Sequence, residues 1–243
     1  MRHTDCIFDL YGTLVDIRTD ERSPALWREL AAWYGGRGAP YRPEGLEAAY
    51  FAAVREKERG ALPLRDDSHE AHPEIRLEEV FRDLFLKKGA DAGPEAAAET
   101  GRQFRRLSTE YIRLYDGARE LLEALRTAGR RVWLLSNAQA VFTRDELDRL
   151  GIAGLFDGVY LSSDYGVKKP DRRFFDILLT GRHIPPETAV MIGNDGLCDI
   201  AGARAAGLAT VYIRSNISPD EPLPEADFAL EEMDLARVRD IIL

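Results

Sequence analysis

The chain has 243 residues, 45% hydrophobic and 31% charged, a globular balance able to bury a core in one large or two modest domains. Its net charge of -9 leaves no basic face for nonspecific nucleic-acid or anionic-membrane binding. No apolar run approaches the roughly 18 residues of a membrane span. The first residues lack the layout of a signal peptide, and Cys6 and Cys198 make no disulfide framework, so a reducing cytoplasm is the expected location.

The first predicted element is the apolar strand Cys6-Ile7-Phe8, which ends in Asp9 and breaks into a turn at Gly12-Thr13. Residues 17–112 then show helical stripes and no strand signal. Leu46, Tyr50 and Val54 mark one stripe, Leu77, Val80, Phe81, Leu84 and Phe85 a second, and Phe104, Leu107, Tyr111 and Leu114 a third. This reads as an all-helical insertion, with Trp27, Trp33 and Tyr34 in its core and a polar loop over 63–73. After Arg130 short apolar runs return, at Val132-Trp133-Leu134-Leu135, Val159-Tyr160-Leu161, Ala189-Val190-Met191-Ile192 and Thr210-Val211-Tyr212-Ile213. Helical patterns over 118–128, 143–150, 172–179 and 197–206 alternate with them. A surface loop over 215–222 leads to a short final strand and helix. The alternation predicts an α/β fold with a Rossmann-like, doubly wound parallel sheet, built from 1–16 and 113–243 and interrupted by the helical insertion. Such sheets hold ligands beyond their C-terminal strand ends.

Four groups fall at those ends. They are Asp9 with Thr13, then Ser136-Asn137, then Lys169 in Lys168-Lys169-Pro170-Asp171, and lastly Gly193-Asn194-Asp195-Gly196-Leu197-Cys198-Asp199. A carboxylate nucleophile, a hydroxyl, a lysine and an acidic loop make sense as one device for transferring an anionic group beside a divalent cation. Phosphoryl transfer asks for this set, because its catalysis is mainly positioning and charge stabilisation.

On these four motifs, in this order and spanning nearly the whole chain, the sequence resembles the haloacid dehalogenase superfamily of hydrolases. The resemblance implies a helical cap at 17–112 and an aspartyl-enzyme intermediate on Asp9. Lys169 and Ser136 would steady the transferring group, with Thr13 and Asn137 helping to position it. In the family's phosphatases Mg²⁺ is held by the nucleophile, by the carbonyl two residues later (Tyr11 here) and by motif-four residues, here Asn194, Asp195 and Asp199.

Two departures from that pattern bear on chemistry. Tyr11 stands where the phosphatases carry a general acid, and a phenol with an ordinary pKa of about 10 protonates an alkoxide less readily. Asn194 stands where an acid is common, which shifts charge onto Asp195 and Asp199. The family's dehalogenases resemble this chain at Tyr11, yet they place a Tyr where Phe175 stands and a Ser-Ser-Asn pattern in motif four. Three carboxylates in one crevice also call for a cation. The expected function is therefore a Mg²⁺-dependent phosphatase on a small phosphorylated or otherwise anionic metabolite, acting as a monomer or homodimer. Metal-independent dehalogenation of a 2-haloacid and a catalytically weak binding or regulatory module are the alternatives.

Other candidates read as structural. His69-Glu70-Ala71-His72 lacks the spacing of a zinc-protease helix and reads as a solvated loop or a cap segment facing the substrate. Lys168 and His183 read as surface residues, and the two cysteines as fillers of small apolar slots. Arg22, Arg55 and Arg65 are candidates for a cationic cap face.

Overall fold

The computed structural model describes residues 3–61, 72–90 and 93–243. The strands are β1 (Asp5–Phe8), β2 (Val15–Thr19), β3 (Thr109–Leu114), β4 (Arg131–Ser136), β5 (Gly158–Leu161), β6 (Ala189–Gly193), β7 (Ala209–Ile213) and β8 (Phe228–Leu230). Between β2 and β3 lie α1 (Pro24–Gly35), α2 (Pro43–Ala61), α3 (Leu77–Leu86) and α4 (Pro94–Ser108). The remaining helices are α5 (Ala118–Thr127), α6 (Ala140–Arg149), α7 (Ser162–Tyr165), α8 (Arg172–Gly181), α9 (Gly202–Ala205) and α10 (Leu235–Ile242).

Six strands form one parallel sheet in the order β5-β4-β1-β6-β7-β8. Its central strands are apolar on both faces because helices cover both. Successive side chains alternate between the two covers. Cys6, Phe8, Val132, Leu134, Val190 and Ile192 pack on the side of α5 and α10, while Ile7, Trp133, Leu135 and Met191 pack with Phe174 and Phe175 of α8. The chain works outward from β1 in both directions, so the ends of β1, β4 and β6 converge on the crevice where the strand order reverses.

Among its described residues the inserted segment is mainly helical, but it also carries a strand pairing that the sequence reading missed. β2 and β3 pair antiparallel as a two-stranded ribbon, which straddles the expected boundaries near residues 16 and 112. Tyr111 and Leu114 therefore lie on a strand and do not extend the helix that carries Phe104 and Leu107. The three-and-four spacing of these residues suits a helix, but Thr109 turns extended (φ -83°, ψ 119°) and ends it. A strand this short buries too little to show a period of its own. Buried Asp16 secures the ribbon, accepting from Arg113 at 2.7 Å and Tyr111 at 3.2 Å.

The helices of the insertion close over their own aromatic cluster. Trp27, Tyr34, Tyr50, Phe81, Phe85 and Phe104 are all buried, with Tyr34 and Phe85 4.2 Å apart and Tyr50 and Phe104 5.1 Å apart. The buried Tyr34 hydroxyl donates to the Phe81 carbonyl at 3.0 Å. Trp33 is half-buried and donates to Thr100. The segment before α3 is stitched to the sheet domain. The Lys168 amide donates to the His72 carbonyl at 2.9 Å, and the Gln139 side chain bridges the Leu77 amide and Ile75 carbonyl, both at 2.9 Å. Ser162 donates to Glu74 at 2.9 Å. Phe104→Ala should destabilise the protein by about 3–5 kcal/mol in urea unfolding, since it leaves a cavity among the rings of Trp27, Tyr50 and Phe81.

Candidate active site

The catalytic crevice begins with how the chain leaves β1. The Asp9 amide donates to the Ile192 carbonyl at 3.0 Å, which carries the strand pairing one residue past Phe8. The chain then folds into a tight turn, with Leu14 and Val15 both donating to the Leu10 carbonyl. Gly12 sits at φ +87°, and a Cβ there would approach Asn194 Nδ2 to 2.3 Å. Backbone conformation and the contact with the motif-four loop thus both demand glycine. Gly193 is equally constrained, since a Cβ there would fall 2.3 Å from Asp199 Cγ.

Lys169 is the hub. Its ammonium, almost wholly out of solvent, donates to Asp9 Oδ1, Asp199 Oδ1 and the Leu135 carbonyl, each at 2.7 Å. Burial alone would lower its pKa, but the two carboxylates outweigh burial and raise it, so the lysine stays charged. Burial pushes the Asp199 carboxyl up to about 6, with Lys169 opposing and Asp9 adding to the rise. Ser136 donates to the same Asp9 Oδ1 at 3.0 Å. Asp9 Oδ2 has no hydrogen-bond partner among the described residues. Asp9, Ser136, Asn137, Lys169, Asn194, Asp195 and Asp199 all line one cavity of about 220 Å³, joined by Tyr11, Cys198, Ile217 and Pro219.

Several expected contacts take a different form. Asn137 is bonded on both sides to the backbone of Lys169, at 2.8 and 2.9 Å, so its amide sets the motif-three loop. Thr13 is fully buried and donates to Asn194 Oδ1 at 3.2 Å, so it supports the motif-four loop. Asp199 spends Oδ1 on Lys169 and Oδ2 on the Asn194 and Asp195 amides, each at 3.0 Å. Those bonds tie Asp199 to the lysine and to the loop.

Tyr11 is tied to α6. Its hydroxyl donates to Glu146 and shares a 2.9 Å hydrogen bond with Thr143, both on α6. Arg105, from α4, pairs with Glu146 at 2.7 Å and lies 5.2 Å from the Tyr11 ring centre. Burial drives the phenol pKa upward; Arg105 opposes this, while the charge and hydrogen bond of Glu146 add to it. A phenol so committed is a poor proton donor to a leaving group.

The donor set suits a hard cation. Asp9 and Asp195 bring carboxylates and Asn194 an amide to one cavity, which Tyr11 also lines. Asp195 Oδ1 caps the Leu197 and Cys198 amides at 2.9 and 2.7 Å. No group of three or more His, Cys, Asp or Glu gathers as a metal cage among the described residues. The ionic lining carries three carboxylates against one ammonium, an imbalance that a divalent cation would offset.

Sequence reasoning missed Arg105, Thr143 and Glu146, since Glu146 sits in the run Arg144-Asp145-Glu146 that looks like a solvated helix face. It also missed Ile217 and Pro219. Cys198, expected to fill an apolar slot, lines the cavity; burial and the charges of Asp195 and Asp199 push its thiol up to about 12, which keeps it protonated. Cys6 is buried in the sheet core. Lys168 is half-buried and His183 exposed. Arg22 pairs with Glu47 at 3.2 Å, and Arg55 is exposed. Arg65 and His69-Glu70-Ala71 lie outside the described residues, while His72 donates its amide to Asp171 at 3.0 Å.

A haloacid dehalogenase-like hydrolase family model matches residues 6–207. A phosphoserine phosphatase of Thermus thermophilus is 32% identical over 156 residues, covering 64% of this chain and 61% of that protein. The chain thus matches about six tenths of that relative's length. A ribulose-1,5-bisphosphate 5-phosphatase of Halopiger xanaduensis is 32% identical over 199 residues, covering 82% of this chain and 77% of that protein. A solved 2-haloacid dehalogenase from Pseudomonas syringae aligns over 99% of this chain and 98% of its own, with a TM-score of 0.66 at 20% identity. That likeness speaks for the fold.

The buried Arg105–Glu146 pair generates a stability prediction, because removing one partner strands the other charge. Glu146→Ala and Arg105→Ala should each cost about 3–5 kcal/mol in urea unfolding, and the double variant should cost well under their sum.

Proposed function

This chain belongs to the haloacid dehalogenase-like hydrolases, and from that premise we propose that it is a Mg²⁺-dependent phosphatase of small phosphorylated metabolites with Asp9 as nucleophile. One observation carries the reading. Asp9 is held through a single carboxylate oxygen by Lys169 and Ser136, while its other oxygen has no protein partner among the described residues and the residue lines the cavity. In the first step that oxygen attacks phosphorus and the bond to the substrate's alcohol oxygen breaks, giving an aspartyl phosphate and a departing alkoxide. In the second, water attacks the same phosphorus, inorganic phosphate leaves and the Asp9 carboxylate is restored. Lys169 and Ser136 keep the nucleophile oriented in both steps. Asp9, Asn194, Asp195 and the Tyr11 carbonyl would hold Mg²⁺, which when bound supplies positive charge between the phosphate and the carboxylates.

The relatives named as phosphatases support this chemistry. The tyrosine in motif one favours a second reading, dehalogenation, because a departing halide needs no proton. Under that reading Asp9 would attack carbon and release chloride from 2-chloropropionate in the presence of chelator.

Two predictions separate the readings and test the roles. Phosphate release from a panel of phosphate esters should require Mg²⁺, vanish with chelator and fall by about 10³-fold or more in Asp9→Asn. Chelator-resistant chloride release with silent phosphate esters would replace the phosphatase reading with the dehalogenase one.

With Tyr11 committed to Glu146, the leaving alkoxide takes its proton from solvent. Turnover should therefore fall steeply as the leaving alcohol becomes less acidic along a series of aryl and alkyl phosphates. Tyr11→Phe should leave kcat within about threefold, whereas Tyr11→Asp should raise alkyl-ester turnover by up to about 10²–10⁴-fold. A large loss of kcat in Tyr11→Phe would restore the phenol to the chemistry.

A further inference from the structure

The phosphatase reading underlies the next step: we propose that Ile217, on the loop between β7 and β8, is a specificity-determining residue that selects phosphate monoesters bearing an apolar group next to the phosphate. Most of the cavity lining is ionisable or amide-bearing, and Ile217 and Pro219 are its aliphatic members. Ile217 is 39% exposed, an open apolar side chain at a wall of the catalytic cavity.

The loop holds that side chain in place from both flanks. On one side, Asn216 donates to Asp16 Oδ1 at 3.0 Å and accepts from the Tyr115 hydroxyl. Asp16 is itself locked to Arg113 of the ribbon. On the other side, the Ser218 hydroxyl accepts from the Ser215 amide at 3.0 Å and from Asn194 Nδ2 at 3.3 Å. Asn194 is itself a cavity residue, so the loop is tied directly to the site it borders. Scattered exposed apolar residues are ordinary on protein surfaces. This one differs in being pinned by both neighbours at the mouth of a reactive cavity.

The chemistry of selection follows. An apolar substituent packed on Ile217 removes both surfaces from water. A hydroxylated or charged substituent at the same place would lose hydration and gain no hydrogen bond from this side chain. The phosphate itself is served by the ionic lining and is indifferent to residue 217.

Phosphonates, whose carbon–phosphorus bond is not hydrolysed by this chemistry, separate binding from turnover. Calorimetric affinities of phenylphosphonate, 2-hydroxyethylphosphonate and inorganic phosphate should be measured with Mg²⁺ for the wild type, Ile217→Ala and Ile217→Leu. The wild type should prefer the phenyl compound. Ile217→Ala should cut the phenyl-to-hydroxyethyl preference about 10-fold, while Ile217→Leu keeps it and inorganic phosphate stays within about twofold throughout. A wild type without the phenyl preference, an unchanged ratio in Ile217→Ala, or an equal loss for inorganic phosphate would each overturn the proposal. Hydrolysis of phosphate esters is read separately. Turnover with an unchanged ratio defeats this inference alone, and a shifted ratio without turnover defeats the phosphatase reading alone.

Discussion

The structure depends on one buried cation. Lys169 has nowhere to shed its charge, and an ammonium this far from water is tolerable only with its protons fully engaged. Its three acceptors come from three places: Asp9 beyond β1, the last turn of β4 at Leu135, and Asp199 beyond β6. Each is useless to the others unless the sheet assembles in its observed order. Charge satisfaction therefore ties the correct strand order to the assembly of the site, and the orientation of Asp9 comes as a by-product of holding the lysine.

A second polar cluster does a complementary job nearby. Tyr11, Thr143, Glu146 and Arg105 join the catalytic turn, α6 and α4 through hydrogen bonds out of bulk water. Arg105 belongs to the helical insertion, so the insertion reaches the catalytic turn through two side chains, Arg105 to Glu146 and Glu146 to Tyr11. The phenol that departs from the phosphatase pattern thus has a structural occupation. Its hydroxyl fastens the turn to α6.

Much of this was legible from residue order, and the limits have physical causes. The parallel strands announce themselves because a strand buried on both faces must be apolar without interruption, as Val132–Leu135 and Ala189–Ile192 are. Asp9, Ser136, Lys169 and the Asn194–Asp199 loop stand out because they terminate such runs. The ribbon was hidden because β2 and β3 are short, and Tyr111 and Leu114 happen to continue the spacing of the helix before them. The partners of Thr13 and Asp199 were hidden for another reason. A residue type at a motif position says which chemistry is possible, but only the partners taken by each oxygen say whether it is free. Glu146 and Ile217 carried no signal at all, since a glutamate on a charged helix and an isoleucine in a loop look like ordinary surface until the fold brings a partner to them.

The ribbon itself has a consequence for how such a chain can change. Because β2 leaves and β3 returns side by side, the two attachment points of everything between Thr19 and Thr109 are neighbours in space. Segments joined at adjacent points can lengthen, shorten or be exchanged without dragging the host framework apart. The sheet and the inserted helices can then diverge at separate rates, with the paired strands acting as a standard socket.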